Sequence, residues 1–333
     1  MVGHQGLCVT EDSVRDLLGG NGSCFLLGNS DGGGWMSWLF LSLLSALFLG
    51  IYDLVKKAGV RENAVPPVLF FSVLASAGVW MPFLLWSYGS PDTYPSARFF
   101  VEVMSRGEHL LILAKSALVA LSWVFNYFAV KNLPLSVASP IRATSPLWTI
   151  LLAVLLFHER PSPTQWLGML IVLSGFYVFS FVGKMEGIHF HRDRWVGFMI
   201  VATLIGSASA LYDKYLLQTR AMDPATVQCW FSIYLAVVLA PLYLYWRSGQ
   251  MGDDPFEWRW SVPMIGVTLL VADFLYFLAL GSPEALISVV SPLRRCAVLI
   301  TFIGGMVTYK EKNFRPKLGC ILVILLGVGL LNW

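Results

Sequence analysis

Two long apolar segments carry arginine well inside their bounds. The first, SPIRATSPLWTILLAVLLFHER, runs from Ser139 to Arg160 and holds Arg142. The second, SPLRRCAVLITFIGGMVTYKEK, runs from Ser291 to Lys312 and holds Arg294 and Arg295. A guanidinium stays ionised and grips a carboxylate or phosphate through two parallel N–H groups. Pro140 and Pro292 stand two residues before Arg142 and Arg294. Proline within a helix removes one backbone hydrogen bond and bends the chain. The bend frees backbone groups and can aim a half-helix amino end at an anion. The chemistry on offer is anion binding, not bond making.

Eight ionisable residues fall inside apolar stretches: Asp53, Lys115, Arg142, Asp213, Lys214, Asp273, Arg294 and Arg295. A charge at the bilayer centre costs about 2.5–3.5 kcal/mol even on a lenient scale, so such groups face a cavity or one another. Five are cations and three are anions, so complete pairing leaves two positive charges over. That surplus favours an anionic or zwitterionic ligand, with Arg142, Arg294, Arg295 and Lys115 as candidate contacts. The alternative is that Arg142 or Arg294 is tied to Asp53, Asp213 or Asp273 and locks helices together. Arg295 lies about 100° around a helix from Arg294, and pairing suits it nearly as well as ligand contact. Lys115 can snorkel toward an interface instead. Asp53, Asp213 and Asp273 are candidates for charge pairing or for carrying a coupling ion. Trp123 and Asn126, in SWVFNYF, form an aromatic-plus-amide face, and an amide in lipid needs a partner. Tyr276 shares a face with Asp273. Tyr52 and Tyr212 precede two of the aspartates and are hydrogen-bonding candidates. Core packing accounts for any of these aromatic residues equally simply. Glu159 and Glu311 sit at span ends, as structural caps or gate contacts.

These residues need membrane helices to position them. Of 333 residues, 56% are apolar and 13% charged. A soluble domain of this length has no interior large enough for so much apolar surface, so lipid is the solvent. Ten stretches have spanning length: 35–55, 65–87, 109–131, 136–157, 164–183, 194–218, 224–246, 261–280, 286–309 and 315–332. The expectation is an all-α polytopic membrane protein without a sizeable soluble domain. The net charge of +3 suggests no nucleic-acid partner, and Cys8, Cys24, Cys229, Cys296 and Cys320 have neither metal-ligand nor disulfide spacing. No metal or cofactor is expected. Residues 1–34 are rich in Gly, Ser and Asp and are expected to be a disordered tail. Met36 is an alternative natural start.

The chain also repeats itself. Tyr52-Asp53 returns as Tyr212-Asp213, Phe71-Ser72 as Phe231-Ser232, and Trp86 as Trp246. Ser139-Pro140-Ile141-Arg142 returns as Ser291-Pro292-Leu293-Arg294, and Leu167-Gly168 as Leu318-Gly319. Two repeats follow, 35–184 and 194–332, with five helices each. Five is odd, so the second repeat enters the membrane from the opposite side. Secondary transporters use such inverted repeats, with the substrate site at the midplane between them.

The segments FHERPSPTQWLGMLIVLSGFYVFS and YKEKNFRPKLGCILVILLGVGLL resemble the closing helices of the EamA-type repeat of the drug/metabolite transporter superfamily. Glu159 and Glu311 stand where that family has glutamate. The resemblance covers nearly all of 36–333 and implies a ten-helix metabolite carrier with a central cavity. A more distant likeness is to plastid phosphate translocators, which carry a basic residue in the fourth helix and a Lys-Arg pair in the ninth. Arg142 and Arg294-Arg295 are similar to that set, with arginine for lysine and Ser145 before Pro146 where those carriers often have glutamate.

Loop charge sets the orientation. One face carries Arg15, Arg98, Arg106, Arg160 and Arg220; the other carries a larger set that includes Lys56, Lys57, Arg61 and Lys317. The richer face is expected in the cytoplasm of a cell-membrane protein, with both termini outside. The leading function is a secondary carrier, not an enzyme, for a small anionic or zwitterionic metabolite: amino-acid-like, carboxylate or phosphorylated. Its partners are a small solute and the bilayer. No G-x-x-x-x-G-K-[ST] motif is present, so solute or ion gradients supply the energy. The alternatives are an integral membrane enzyme acting on a lipid-linked substrate and a non-transporting sensor or assembly subunit. The solute, the direction, the coupling and the oligomeric state stay open.

Overall fold

The computed structural model describes residues 33–90, 99–145, 147–149, 151–152, 162–184, 192–251, 255–282, 285, 290, 293–309 and 314–330. Almost all of the tail, together with Glu159, Pro292 and Glu311, therefore lies outside the described residues. The described elements are helical: α1 Gly33–Val60, α2 Val65–Gly89, α3 Arg106–Asn132, α4 Leu135–Ala143, α5 Pro163–Lys184, α6 Arg194–Lys214, α7 Pro224–Arg247, α8 Ser261–Gly281, α9 Ala297–Tyr309 and α10 Phe314–Leu330. Six of them are long and apolar enough to cross a membrane: α1, α2, α3, α6 with its continuation to Thr219, α7 and α8.

Local sequence explains the helix starts. Ser105 and Glu108 form a reciprocal capping box at α3. Asp193 accepts the Trp195 N–H at the head of α6, and Asp223 accepts the Thr226 N–H at the head of α7. Proline opens both α2 and α7, where its missing N–H costs nothing. Glu62 and Ala221, both with positive φ, turn the chain out of α1 and α6. A five-residue π-helix, Tyr215–Thr219, prolongs α6.

The helices pack in pairs: α1 with α8, α3 with α6, α2 with α7, α4 with α9 and α5 with α10. Small residues permit the closest crossings. A Cβ on Gly266 of α8 would stand 1.9 Å from the backbone oxygen of Ser72 on α2. Two small-residue runs, SALFLG at 45–50 and IGSASA at 205–210, sit at such crossings. Ser45 donates to the Ala272 carbonyl at 2.7 Å, and a Cβ on Gly50 would meet Ile300 at 2.6 Å. Ser207 and Ser145 lie oxygen to oxygen at 2.9 Å. Large apolar side chains such as Phe40, Leu85, Leu170 and Leu326 point outward, as they do when lipid is the solvent.

Helices α4 and α9 are interrupted beside the arginines. The chain turns at Thr144, whose N–H donates to the Ile141 carbonyl at 3.2 Å. It turns again at Cys296, whose N–H donates to the Leu293 carbonyl at 3.1 Å. Both turns fall two residues after an arginine. In the first, Pro140 has already removed one helical bond and Ser145 precedes a proline, which disfavours the helical conformation there.

Candidate functional site

A cavity of about 180 Å³, taken as space open to the centres of water molecules, lies between α1, α3, α4, α6, α7, α8 and the turn that precedes α9. One wall is organised around Asp53 of α1, which is 2% exposed. Arg142 of α4 engages both its oxygens, with Nη2 to Oδ2 at 2.8 Å. Lys56, one turn further along α1, donates to Asp53 Oδ1 at 3.0 Å and to Asn126 Oδ1 of α3 at 3.0 Å. Its ammonium lies 4.4 Å from the Tyr52 ring centre and 5.5 Å from that of Tyr127. The Thr301 hydroxyl of α9 reaches Asp53 Oδ2 at 3.2 Å.

The opposite wall is a second charge network. Lys115 of α3 pairs with Asp213 of α6, between the rings of Phe231 and Phe277 at 4.5 and 4.2 Å. Arg294 pairs with Asp273 of α8, and its guanidinium lies over the Tyr276 ring at 4.3 Å. Asp213 is within electrostatic reach of both Asp273 and Arg294. Trp123, Phe231, Leu269 and Phe277 supply the apolar lining on this side.

Arg295 stands apart. Its Nη2 donates to Ser145 Oγ at 3.2 Å, and among the described residues its buried Nε, like that of Arg294, has no partner and no carboxylate pairs with it. Arg142 and Arg294 are near enough to repel it. Lys56, Lys115, Arg142, Arg294 and Arg295 thus meet Asp53, Asp213 and Asp273 at this cavity, and two positive charges remain uncompensated. Breaking one of these buried pairs by removing a partner is costly, because the other charge is left alone in low dielectric.

The cavity brings together Tyr52, Lys115, Trp123, Asn126, Arg142, Asp213, Asp273, Tyr276, Arg294 and Arg295, with Asp53 directly behind the wall. Pro140 lies inside α4, one turn before the break at Thr144. Tyr212 is elsewhere: its hydroxyl donates to the Leu111 carbonyl at 3.2 Å. Both Arg142 and Arg294 carry an aspartate partner, so the pairing alternative holds for them at the level of geometry.

Two lysines sit where the sequence reading did not put them. Lys56 was expected in a loop, yet it is 1% exposed and lines the cavity. Its signal was present, since Asp53 and Lys56 lie three apart on one helical face. Lys214 lies within the span Arg194–Thr219, where it was expected, with its side chain exposed and away from the cavity. Lys317 was counted among loop charges and is buried on α10. Removing Lys56 and Lys317 from the loop charges does not reverse the asymmetry. Ser145 and Ser207, whose hydroxyls join the segment after α4 to α6 beside Arg295, had no distinguishing sequence signal.

Comparison with known proteins bears on this arrangement. The family model of the EamA-like transporter family matches residues 36–181. A probable 4-amino-4-deoxy-L-arabinose-phosphoundecaprenol flippase subunit ArnE of Escherichia coli O157:H7 (strain EC4115 / EHEC) is 30% identical over 84 residues, 25% of this chain and 76% of that protein. The proteins of the same description from Escherichia coli strain K12 / DH10B and from Shigella boydii serotype 18 (strain CDC 3083-94 / BS512) match with the same identity and coverage. A protein crystal structure 14% identical in sequence superposes with a TM-score of 0.58 over 89% of this chain and 97% of that one, which is a likeness of fold. The matched family, the membrane-length helices and the shared fold agree: this chain is a multi-pass integral membrane protein that belongs to the EamA-like transporter family of the drug/metabolite transporter superfamily.

Proposed function

We propose that this protein is a secondary carrier of a small anionic or zwitterionic organic metabolite, working by alternating access. The observation that carries this reading is the cavity's uncompensated charge, centred on Arg295 with its unpartnered Nε. Two surplus cations in a low-dielectric hollow favour an incoming anion. The aromatic lining on the opposite side suits an organic body. Arg142 and Arg294, held by their aspartates, set the walls and lend field to the same anion.

We also propose that α1–α5 and α6–α10 are inverted repeats, 35–184 and 194–332, that rock about the cavity. Exchanging the two halves turns the α1–α8 contact into the α6–α3 contact. The same exchange returns α2–α7, α4–α9 and α5–α10 to themselves. Internal prolines at Pro82 of α2 and Pro241 of α7 lie one residue out of the register of Trp86 and Trp246, and the turns at Thr144 and Cys296 correspond in the register of Arg142 and Arg294. The positive-φ residues Glu62 and Ala221 lie one residue out of the register of Tyr52 and Tyr212, and each turns the chain out of the first helix of its half. All this supports five helices per half and ten spans in the whole.

A thermal-shift screen of the purified protein against charged metabolites, followed by uptake into proteoliposomes, tests the carrier reading. Ligands that stabilise the wild type should lose their effect in Arg295→Gln. A hit whose shift and uptake are unchanged in that variant overturns the assignment.

A further inference from the structure

We propose that Lys56 is the proton carrier of this site, so that each anion bound brings one proton with it. The proposal rests on the anion-carrier reading and names its coupling.

Each aspartate at the cavity is already engaged. Asp53 is held by Arg142 and Lys56, Asp213 by Lys115 and Asp273 by Arg294. The guanidinium groups do not release protons in proteins. Two lysines remain. Lys115 has Asp213 as its own counter-ion. Lys56 must share Asp53 with an arginine that engages both carboxylate oxygens.

The donor count at Lys56 points the same way. An ammonium has three N–H donors. Two reach oxygen, at Asp53 Oδ1 and Asn126 Oδ1, each at 3.0 Å. The third meets no oxygen among the described residues; the rings of Tyr52 and Tyr127 lie beside the nitrogen instead. The groups facing Lys56 are thus Asp53 and Tyr52 on its own helix, Asn126 and Tyr127 on α3, and Arg142 on α4. A neutral amine keeps two N–H bonds, so both oxygen contacts survive when the third proton leaves. The step is Lys56–NH3+ to Lys56–NH2 plus a proton, which passes to water in the cavity that Lys56 lines.

On the alkaline side of neutrality an empty cavity gives up that proton, because Asp53 and Arg142 then balance each other. An anion entering beside them makes the ammonium favourable again, and the proton returns. Binding linkage is reciprocal, so anion affinity must fall as pH rises. The slope for one proton is at most about tenfold per pH unit.

Calorimetric titration of the purified full chain tests this, with sulfate, succinate and glutamate as probes. Buffers of different ionisation heat report the protons taken up. The expected result is uptake approaching one proton per anion on the alkaline side of neutrality, with affinity dropping up to tenfold per pH unit. Lys56→Arg keeps the charge and should bind with no proton uptake and a flat pH profile. Lys56→Met should bind more weakly, also with a flat profile. Wild-type uptake and slope persisting in Lys56→Arg would overturn the proposal while leaving the carrier reading intact. Wild-type binding without proton uptake at every pH does the same. Failure of all three probes to bind at any pH overturns both.

Discussion

The one-carboxylate, two-cation arrangement at Asp53 makes an asymmetric prediction. Asp53 is 2% exposed and compensates Arg142 and Lys56 together. At neutral pH, Asp53→Asn removes the only negative charge that wall carries among the described residues and leaves two buried cations facing each other. Removing one partner of a buried pair costs about 3–5 kcal/mol, and here two partners are stranded at once, so the cost should reach at least that range. Arg142→Met leaves Asp53 and Lys56 as a balanced pair, with a side chain of similar length filling the space. Replacing buried charge by packed apolar volume is often near neutral, so this change should cost under about 2 kcal/mol, within the ordinary range for single substitutions. The assay is unfolding of the protein in mixed micelles by increasing SDS, followed by tryptophan fluorescence. Asp53→Asn/Arg142→Met should recover much of the single Asp53→Asn loss, because only one stranded cation remains. Equal damage from the two single variants, or a larger loss from Arg142→Met, would refute the reasoning: the carboxylate would then not be the shared hub of that wall.

Other expectations follow from particular contacts. Gly266→Ala places a Cβ 1.9 Å from a main-chain oxygen of α2, which cannot rotate away, so the variant should lose about 1–3 kcal/mol or more in the same assay. Ser105→Ala removes half of the capping box of α3 and should cost about 1 kcal/mol, visible as faster hydrogen exchange in its first turn. Burial pushes the Asp223 carboxyl, in the turn before α7, above its ordinary value. The folded state then holds that proton more tightly than the unfolded one, so its contribution to stability is full at acid pH and is lost as pH rises through the carboxylate range. Asp223→Asn still caps α7 and should flatten that part of the stability–pH curve; an unchanged curve contradicts the assignment.

How much could be read before the coordinates differs between the fold and the site. Apolar runs of spanning length follow from composition, since nothing else in a chain with 13% charged residues can dissolve in lipid. The recurring SP-arginine and Tyr-Asp motifs point to the two proposed halves, because repeated positions need no contacts to be compared. Intramembrane charge is equally plain in one dimension: Asp53, Lys115, Arg142, Asp213, Asp273, Arg294 and Arg295 stand out against apolar neighbours, and all of them gather at one cavity. Lys56 escaped that reading because it stands beside Lys57 near a helix end, where lysine ordinarily reaches water. Which cation belongs to which carboxylate had to wait for the tertiary structure. Each aspartate has several cations within possible reach, and the choice depends on helix rotation and on crossings as close as those at Gly50 and Gly266. The same geometry separates Arg295 from its neighbour Arg294. One residue along a helix is about 100° around it, so one guanidinium turns to Asp273 and the other is left to Ser145. Residue types and their spacing thus determined that charge would be buried in this membrane protein and that it would be net positive. Only the packing of α1, α3, α4, α6 and α8 decided which positive charges are spent on pairing and which remain unpaired, because pairing is a matter of ångströms between elements far apart in the chain.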